Sequence, residues 1–436
     1  MNYRVYPPEE MMMATVNLPL SKSISNRMLI INALSTEASD NLTVADCDDT
    51  RLLSQALREI SDAKGEITVN TGAAGTATRF ITAYLCSREG VNAIVDGSER
   101  MRQRPMGILI ESLRSLGAEI KCLDREGFLP LHICGHRLKG GKLTIDASVS
   151  SQFISAIMMI APTMTEGLAI HLEGMLMSKP YIDMTAELMR RNGAEVEFDA
   201  PFEDIVIAPG TYSRKGDTVA ECDWSAASYW YETAALTAGF VTMPGLQLPS
   251  LQGDSACCRL FEMLGVMTSP SEDMEDALEA APTPEQFSRF ETDLIDTPDL
   301  AQTLAVTAAM LGIPFHLRGL HSLRVKETDR LEALRAELDK FGIIVEIRNN
   351  SELVWNGARH PIFERPVIDT YDDHRMAMAF APTAVLIPGI VIRDAEVVSK
   401  SYPGFWDDLV SAGFTLTDAD NDNADADDNT PLTDID

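Results

Sequence analysis

Six segments of the chain are apolar on nearly every side of a helix, and they recur at an almost fixed interval. They are "SKSISNRMLIINAL", "GTATRFITAYLC", "SSQFISAIMMIAP", "SAASYWYETAALTAG", "TPDLAQTLAVTAAML" and "DDHRMAMAFAPTAVL", opening near positions 22, 76, 151, 227, 299 and 374. Their steps are 54, 75, 76, 72 and 75 residues. A second series, amphipathic by spacing, opens near 49, 105, 179, 254, 327 and 401, with steps of 56, 74, 75, 73 and 74. Most of its members are followed by a Gly and an alternating stretch such as "AEIKCL", "AEVEF" or "IIVEI", which reads as a strand. A helix that is apolar all round must be covered all round, so several such helices have to pack together with sheets outside them.

This periodicity predicts an α/β fold of six repeats, each a buried helix, a strand, an amphipathic helix and further strands. Six repeats divide into two domains of three, with the break near 220–222. The expected first domain is 1–20 with 222–417, the second is 21–221, and 418–436 is an acidic tail. Residues 1–20 have strand character but no repeat of their own, so they are expected to complete the last repeat and fold the chain back on itself.

The 436 residues, 45% apolar and 23% charged, suit a globular protein with substantial cores. A formal net charge of −30 argues against nucleic-acid and anionic-membrane partners. No stretch reads as a signal peptide or a comfortable bilayer span, since Pro382 and Pro388 break the apolar run 376–392. Seven cysteines without a CxxC pair fit reduced thiols, and the expected location is cytoplasmic. Eight Asp fall in the last nineteen positions, a composition that solvates better than it packs.

Against that acidic background the helix starts stand out. They carry Lys22-Ser23 with Arg27, Gly75-Thr76 with Arg79, Arg104, Ser150-Ser151-Gln152, Ser178-Lys179-Pro180-Tyr181, Asp299, Lys326-Glu327 with Arg330, Asp373-His374-Arg375 and Lys400. Cations, small hydroxyls and glycine backbones together bind phosphate and carboxylate. Taken singly each has a plainer reading. Thr76 and Ser151 are good N-caps, and Glu327 with Arg330 at i and i+3 is an ordinary helical ion pair. Their recurrence at equivalent places favours a cleft for an anionic substrate set. Other chemistries fare worse. "HICGH" (His132, Cys134, His136) has a metal-like spacing but alternates like an exposed strand, 72–75 is too short for a nucleotide loop, and no G-x-S-x-G elbow occurs.

In order, Lys22-Ser23-x-Ser25-Asn26-Arg27, Gly75-Thr76-x-x-Arg79, Arg100-Met101-x-x-Arg104-Pro105, Ser150-Ser151-Gln152-Phe153, Ser178-Lys179-Pro180-Tyr181, Lys326-Glu327-Thr328-Asp329-Arg330, Asp373-His374-Arg375-Met376-Ala377 and Lys400-x-x-Pro403 resemble the EPSP (5-enolpyruvylshikimate-3-phosphate) synthase family, from about residue 4 to 414. The resemblance implies two domains, each of three βαβαββ units around buried helices (an inside-out α/β barrel), with the active site in the interdomain cleft. It implies transfer of the enolpyruvyl group of phosphoenolpyruvate to the 5-hydroxyl of shikimate 3-phosphate, with release of phosphate. No cofactor and no metal are implied, and the expected state is a monomer.

Carried over by motif, Lys22, Ser23, Arg27, Ser150, Ser151, Gln152, Ser178, Tyr181, Asp299, Ser322 and Lys326 would adjoin shikimate 3-phosphate. Lys22, Gly75, Arg104, Gln152, Arg330, Arg375 and Lys400 would hold phosphoenolpyruvate. Asp299 would take the hydroxyl proton, Glu327 would handle the methylene proton, Lys22 would share in proton transfer and His374 would orient its neighbours.

Three positions depart from the family pattern. Leu20 replaces a small residue before Ser-Lys-Ser, Ala73 stands where many members have Asn, and so does Ser322. Two rival readings remain. One is the enolpyruvyl transferase that acts on UDP-N-acetylglucosamine, whose Lys-Asn pair and loop Cys are missing here. The other is a non-catalytic anion-binding protein, which would have no use for both Asp299 and Glu327.

Overall fold

The computed structural model describes residues 1–420 apart from Val149, 200–203, Arg214, Lys215, Asp217 and Gln286. The chain forms two compact units: a first from Met1–Pro19 with the chain from Glu221 onward, and a second from Leu20–Ala220.

In the second unit the helices Lys22–Leu34, Gly75–Cys86 and Ser151–Ile160 pack on one another. Of Gly75–Cys86 only Thr76 escapes full burial, as expected for a helix with no polar face. The helices Asp48–Asp62, Gly107–Ser115 and Lys179–Arg191 bury one side each. Two four-stranded sheets accompany them. One runs Ile67–Asn70, Asn92–Asp96, Leu131–Cys134, Glu119–Cys122 across the sheet, and the other Gly141–Asp146, Leu168–Glu173, Asp204–Ile207, Val196–Phe198. Each begins with a parallel pair joined through a buried helix and continues antiparallel. A helical crossover returns the chain in the same direction, and the closing hairpin then tucks the fourth strand between the second and the third. The first repeat departs from this. Among the described residues it has only a parallel bridge between Thr43 and Val219 in place of a sheet.

The first unit repeats the plan with helices Trp224–Thr237, Ala301–Met310 and His374–Phe380 packed on one another. All ten residues of Ala301–Met310 are buried. Its sheet Phe290–Asp293, Phe315–Arg318, Glu352–Trp355, Glu346–Arg348 has the same strand order. In the last repeat Tyr3–Tyr6 takes the fourth-strand place, between Ile390–Ile392 and Thr415–Asp418. Met13–Thr15 pairs instead in parallel with Phe240–Pro244 and supplies the first strand of the fourth repeat. The reading that gave all of residues 1–20 to the last repeat is therefore corrected: the two strands serve different repeats. The acidic tail also begins later than 418, because Asp418 is in a strand and Asp420 accepts from Asn2 Nδ2 at 2.6 Å. The expected tail beyond 420 lies outside the described residues. Among the described residues no helix is long and apolar enough to cross a membrane.

Most polar side chains inside these helices are satisfied locally. Thr303 and Ser228 hydroxyls lie 3.1 Å apart, and Thr307 donates to the Thr303 carbonyl at 2.7 Å. Exceptions are Asn26, Gln302 and, carrying an ionisable group, Glu232 on the buried helix Trp224–Thr237. Its carboxyl is fully buried without a hydrogen-bond partner of good geometry, and the nearby Thr307 hydroxyl donates to the Thr303 carbonyl. Burial pushes its pKa well above the usual carboxylate value, and Thr307 offsets this only slightly. The folded protein therefore holds the proton more tightly than the unfolded chain does, so stability falls as pH rises through and above the unfolded value. Glu232→Met is expected to raise the melting temperature, with the gap over the native protein widening from pH 5 to pH 8. Thermal melts at the two pH values check this, and a gap that is constant or narrows would count against a raised pKa.

Candidate functional site

None of the six buried helices carries an acidic residue in its first turn as a macrodipole partner. The outer helices Asp48–Asp62, Arg330–Asp339 and Phe405–Ser411 do, with Asp48 and Asp49, Glu332, and Asp407 and Asp408. In the first unit a cap supplies the anion instead, since Asp223 accepts from Ala226 N at 2.9 Å and Asp373 from Arg375 N at 3.0 Å, whereas the caps of the second unit's buried helices, Ser21, Ala74 and Ser150, carry no charge. Thr76 and Ser151 do not cap, because they lie inside their helices behind Ala74 and Ser150, neither of which makes a capping bond.

In the second unit the polar centre is Arg27, which is fully buried. Its Nε donates to Thr185 Oγ1 at 2.7 Å, Nη1 to the Ser23 carbonyl at 2.9 Å, and Nη2 to Ser155 Oγ at 3.0 Å and Gln152 Oε1 at 3.1 Å. Phe80 and Tyr181 cover the guanidinium at 5.3 and 5.5 Å from their ring centroids. Burial lowers its pKa to about 10, which leaves it charged at neutral pH. The structure thus brings Ser23, Arg27, Gln152 and Tyr181 together, but it turns Arg27 toward protein partners in place of open solvent.

Lys22 Nζ lies 3.6 Å from Asp49, a partner that the sequence reading missed. Arg79 donates to the Gly75 carbonyl at 2.6 Å, and Arg104 crosses close over the same glycine. Ser178 has the left-handed backbone (φ 55°) that starts the helix bearing Tyr181.

The first unit gathers Asp299, Lys326, Glu327, Arg330, Asp373 and Arg375. Arg330, 2% exposed, binds Asp373 at 2.6 Å, Glu327 at 2.8 Å and Asp299 at 2.9 Å. Burial opposes its charge, yet the three carboxylates more than offset that, and its pKa rises. Asp299 also lies 3.2 Å from Arg375 and 3.6 Å from Lys326, whose ammonium burial pulls down against the pull of Asp299.

Glu327 and Arg330 do pair, but not within a helix. The helix starts at Arg330 behind the cap Asp329, so Glu327 reaches in from the preceding loop. His374 is buried with Nδ1 3.8 Å from Asp373. Lys400 donates to the Asp372 carbonyl beside this cluster. Ser322 is not drawn in, and its buried hydroxyl has no hydrogen-bond partner among the described residues. Sequence reasoning also missed the partners behind Arg375, Tyr229 at 3.3 Å and Ser225 at 3.4 Å, although both sit on a helix it had marked as buried.

The two units therefore present clustered cations with a few embedded carboxylates, an arrangement suited to a polyanionic reactant and proton transfer. The sequence matches the model of the family EPSP synthase (3-phosphoshikimate 1-carboxyvinyltransferase) over residues 7–409. The chain belongs to the EPSP synthase family. It is accordingly a transferase. Among its relatives is a 3-phosphoshikimate 1-carboxyvinyltransferase of Bacteroides fragilis, 47% identical over 95% of this chain and 99% of that one. Another, from Photobacterium profundum, is 35% identical over 90% and 95%. The solved EPSP synthase of Acinetobacter baumannii superposes with a TM-score of 0.75 over 96% of this chain and 100% of its own. At 20% identity that likeness speaks for the fold, an α/β architecture of repeated βαβαββ-like units.

Removing Arg330 takes from each of three carboxylates a cation at hydrogen-bond distance. Arg330→Gln is expected to destabilise the protein by about 3–5 kcal/mol. Adding Asp373→Asn to it should recover part of that loss in denaturant melts, whereas simply additive costs would show the pair to be uncoupled.

Proposed function

We propose that the groups of the two units serve one reaction on one pair of substrates. As a member of the EPSP synthase family the chain transfers the enolpyruvyl group of phosphoenolpyruvate to shikimate 3-phosphate, at its 5-hydroxyl, in the shikimate pathway. The substrates bring two phosphates and two carboxylates, which accounts for so many cations in a chain of net charge −30. Ser23, Ser150, Ser151, Gln152, Ser178, Tyr181 and Lys326 hold shikimate 3-phosphate. Lys22, the Gly75 backbone, Arg104, Arg330, Arg375 and Lys400 hold phosphoenolpyruvate. Arg27 serves by fixing Gln152 and Tyr181 from beneath.

The observation that carries the reading is Asp299, one carboxylate with Lys326, Arg330 and Arg375 around it. Anionic substrate groups compete for Lys326 and Arg375, freeing a carboxylate oxygen to take the 5-hydroxyl proton. Glu327 delivers a proton to the methylene carbon of phosphoenolpyruvate, leaving C2 cationic for attack by the hydroxyl oxygen. The tetrahedral adduct then loses phosphate and a methyl proton, restoring the enol ether. Lys22 and the arginines stabilise the phosphate that departs.

Purified protein mixed with both substrates should release phosphate, and release only with UDP-N-acetylglucosamine as acceptor would assign it to the other transferase. Asp299→Ala should lower kcat by at least about 10²-fold, the typical worth of a general base. Binding of shikimate 3-phosphate, read by calorimetry, should survive, and its loss would mean that Asp299 is misassigned. A Cβ on Gly75 would lie 2.7 Å from Arg79 Nη1 and closer still to Arg104. Gly75→Ala should therefore displace those flexible side-chain ends and raise KM for phosphoenolpyruvate without unfolding the protein. An unchanged KM would remove Arg104 from that site.

A further inference from the structure

Arg375 is gripped from two directions. One side faces Asp299, with Nη2 3.2 Å from Oδ2. On the other side Nη1 donates to Tyr229 Oη at 3.3 Å and Nη2 to Ser225 Oγ at 3.4 Å. The Ser225 hydroxyl has a single proton, and it goes to the carboxylate of Asp254, so its lone pairs are turned toward the guanidinium. Asp254 is 6% exposed and lies in the short turn Gly253–Ala256. The residue before that turn, Gln252, ties it down by donating to the Cys222 carbonyl at 2.7 Å and accepting from Trp224 N at 3.1 Å.

We propose that Asp254 is a positioning residue for Arg375: through the Ser225 hydroxyl it keeps the guanidinium beside Asp299 and ready for the anionic group of phosphoenolpyruvate. The inference rests on the reading that Arg375 meets that substrate. The charged and titratable groups facing Asp254 are Asp223 at the cap of helix Trp224–Thr237, Asp299, Arg375 and Cys257. Burial and then the charge of Asp299 push its pKa up, Arg375 and Ser225 offset part of this, and the balance lies at about 6. When Asp254 takes up a proton it becomes a donor to Ser225. The hydroxyl proton then turns toward Arg375, donor against donor, and the relay reverses.

The test is steady-state kinetics of Asp254→Asn and Ser225→Ala between pH 5.5 and 8. At pH 8 both variants should show KM for phosphoenolpyruvate raised about tenfold, the scale of one charge-assisted hydrogen bond. KM for shikimate 3-phosphate and the melting temperature should stay near native values. The phosphate of the substrate itself titrates near pH 6, so the readout is the ratio of variant to native KM. For Asp254→Asn that ratio should fall toward one as the native relay protonates at pH 5.5. A ratio independent of pH, or equal rises in both KM values, would reduce Asp254 to a structural role and overturn the proposal. Arg375→Gln separates the two layers. If it raises KM for phosphoenolpyruvate while Asp254→Asn does not, the relay alone is wrong; if it leaves KM unchanged, the assignment of Arg375 falls and the relay with it.

Discussion

The polar centre of the first unit hangs on a single buried guanidinium. Arg330 draws Asp299 from the start of one buried helix, Asp373 from the cap of the next and Glu327 from the loop before its own helix. Such a cluster contributes little net stability, because desolvating the ions consumes most of their attraction. What it supplies is position: three segments far apart in sequence are held at hydrogen-bond distance. Arg375 and Lys326 flank Asp299 around that frame, and His374 lies beside Asp373.

The second unit solves a similar problem with the opposite electrostatics. Arg27 is equally buried, but its hydrogen bonds go to hydroxyls, an amide and carbonyls, and its faces to two rings. No carboxylate among these partners cancels the charge, so its field reaches the nearby helix starts. One unit thus embeds acids among cations, where protons can move. The other keeps a cation among neutral groups, where an anion is welcome.

The repeat could be read from the sequence because a helix without a polar face is a strong signal and the two series keep nearly the same period. Strand order could not. The strands run from two to six residues, and their partners are chosen by long-range pairing that no local pattern encodes. The first repeat, which has no regular sheet among the described residues, showed its departure only in its shorter steps of 54 and 56 residues against 72 to 76 for the rest. In the site, the cations and hydroxyls were conspicuous against an acidic chain, whereas Asp49 and Asp254 were not, being two acids among 66. Counter-charges show their role only when the cation they face is in view. Glu327 and Arg330 were read as partners at helical spacing, and the pairing holds although Asp329 starts the helix between them.

The placement of Tyr3–Tyr6 has a consequence for how the protein is made. This strand leaves the ribosome long before its neighbours Ile390–Ile392 and Thr415–Asp418. Met13–Thr15 likewise waits for Phe240–Pro244, while Leu20–Ala220 can gather its own contacts as soon as it has emerged. Synthesis therefore passes through a stage in which a finished central unit trails unpaired strands, open to pairing with other chains. Both strands are short, three and four residues, which limits that hazard.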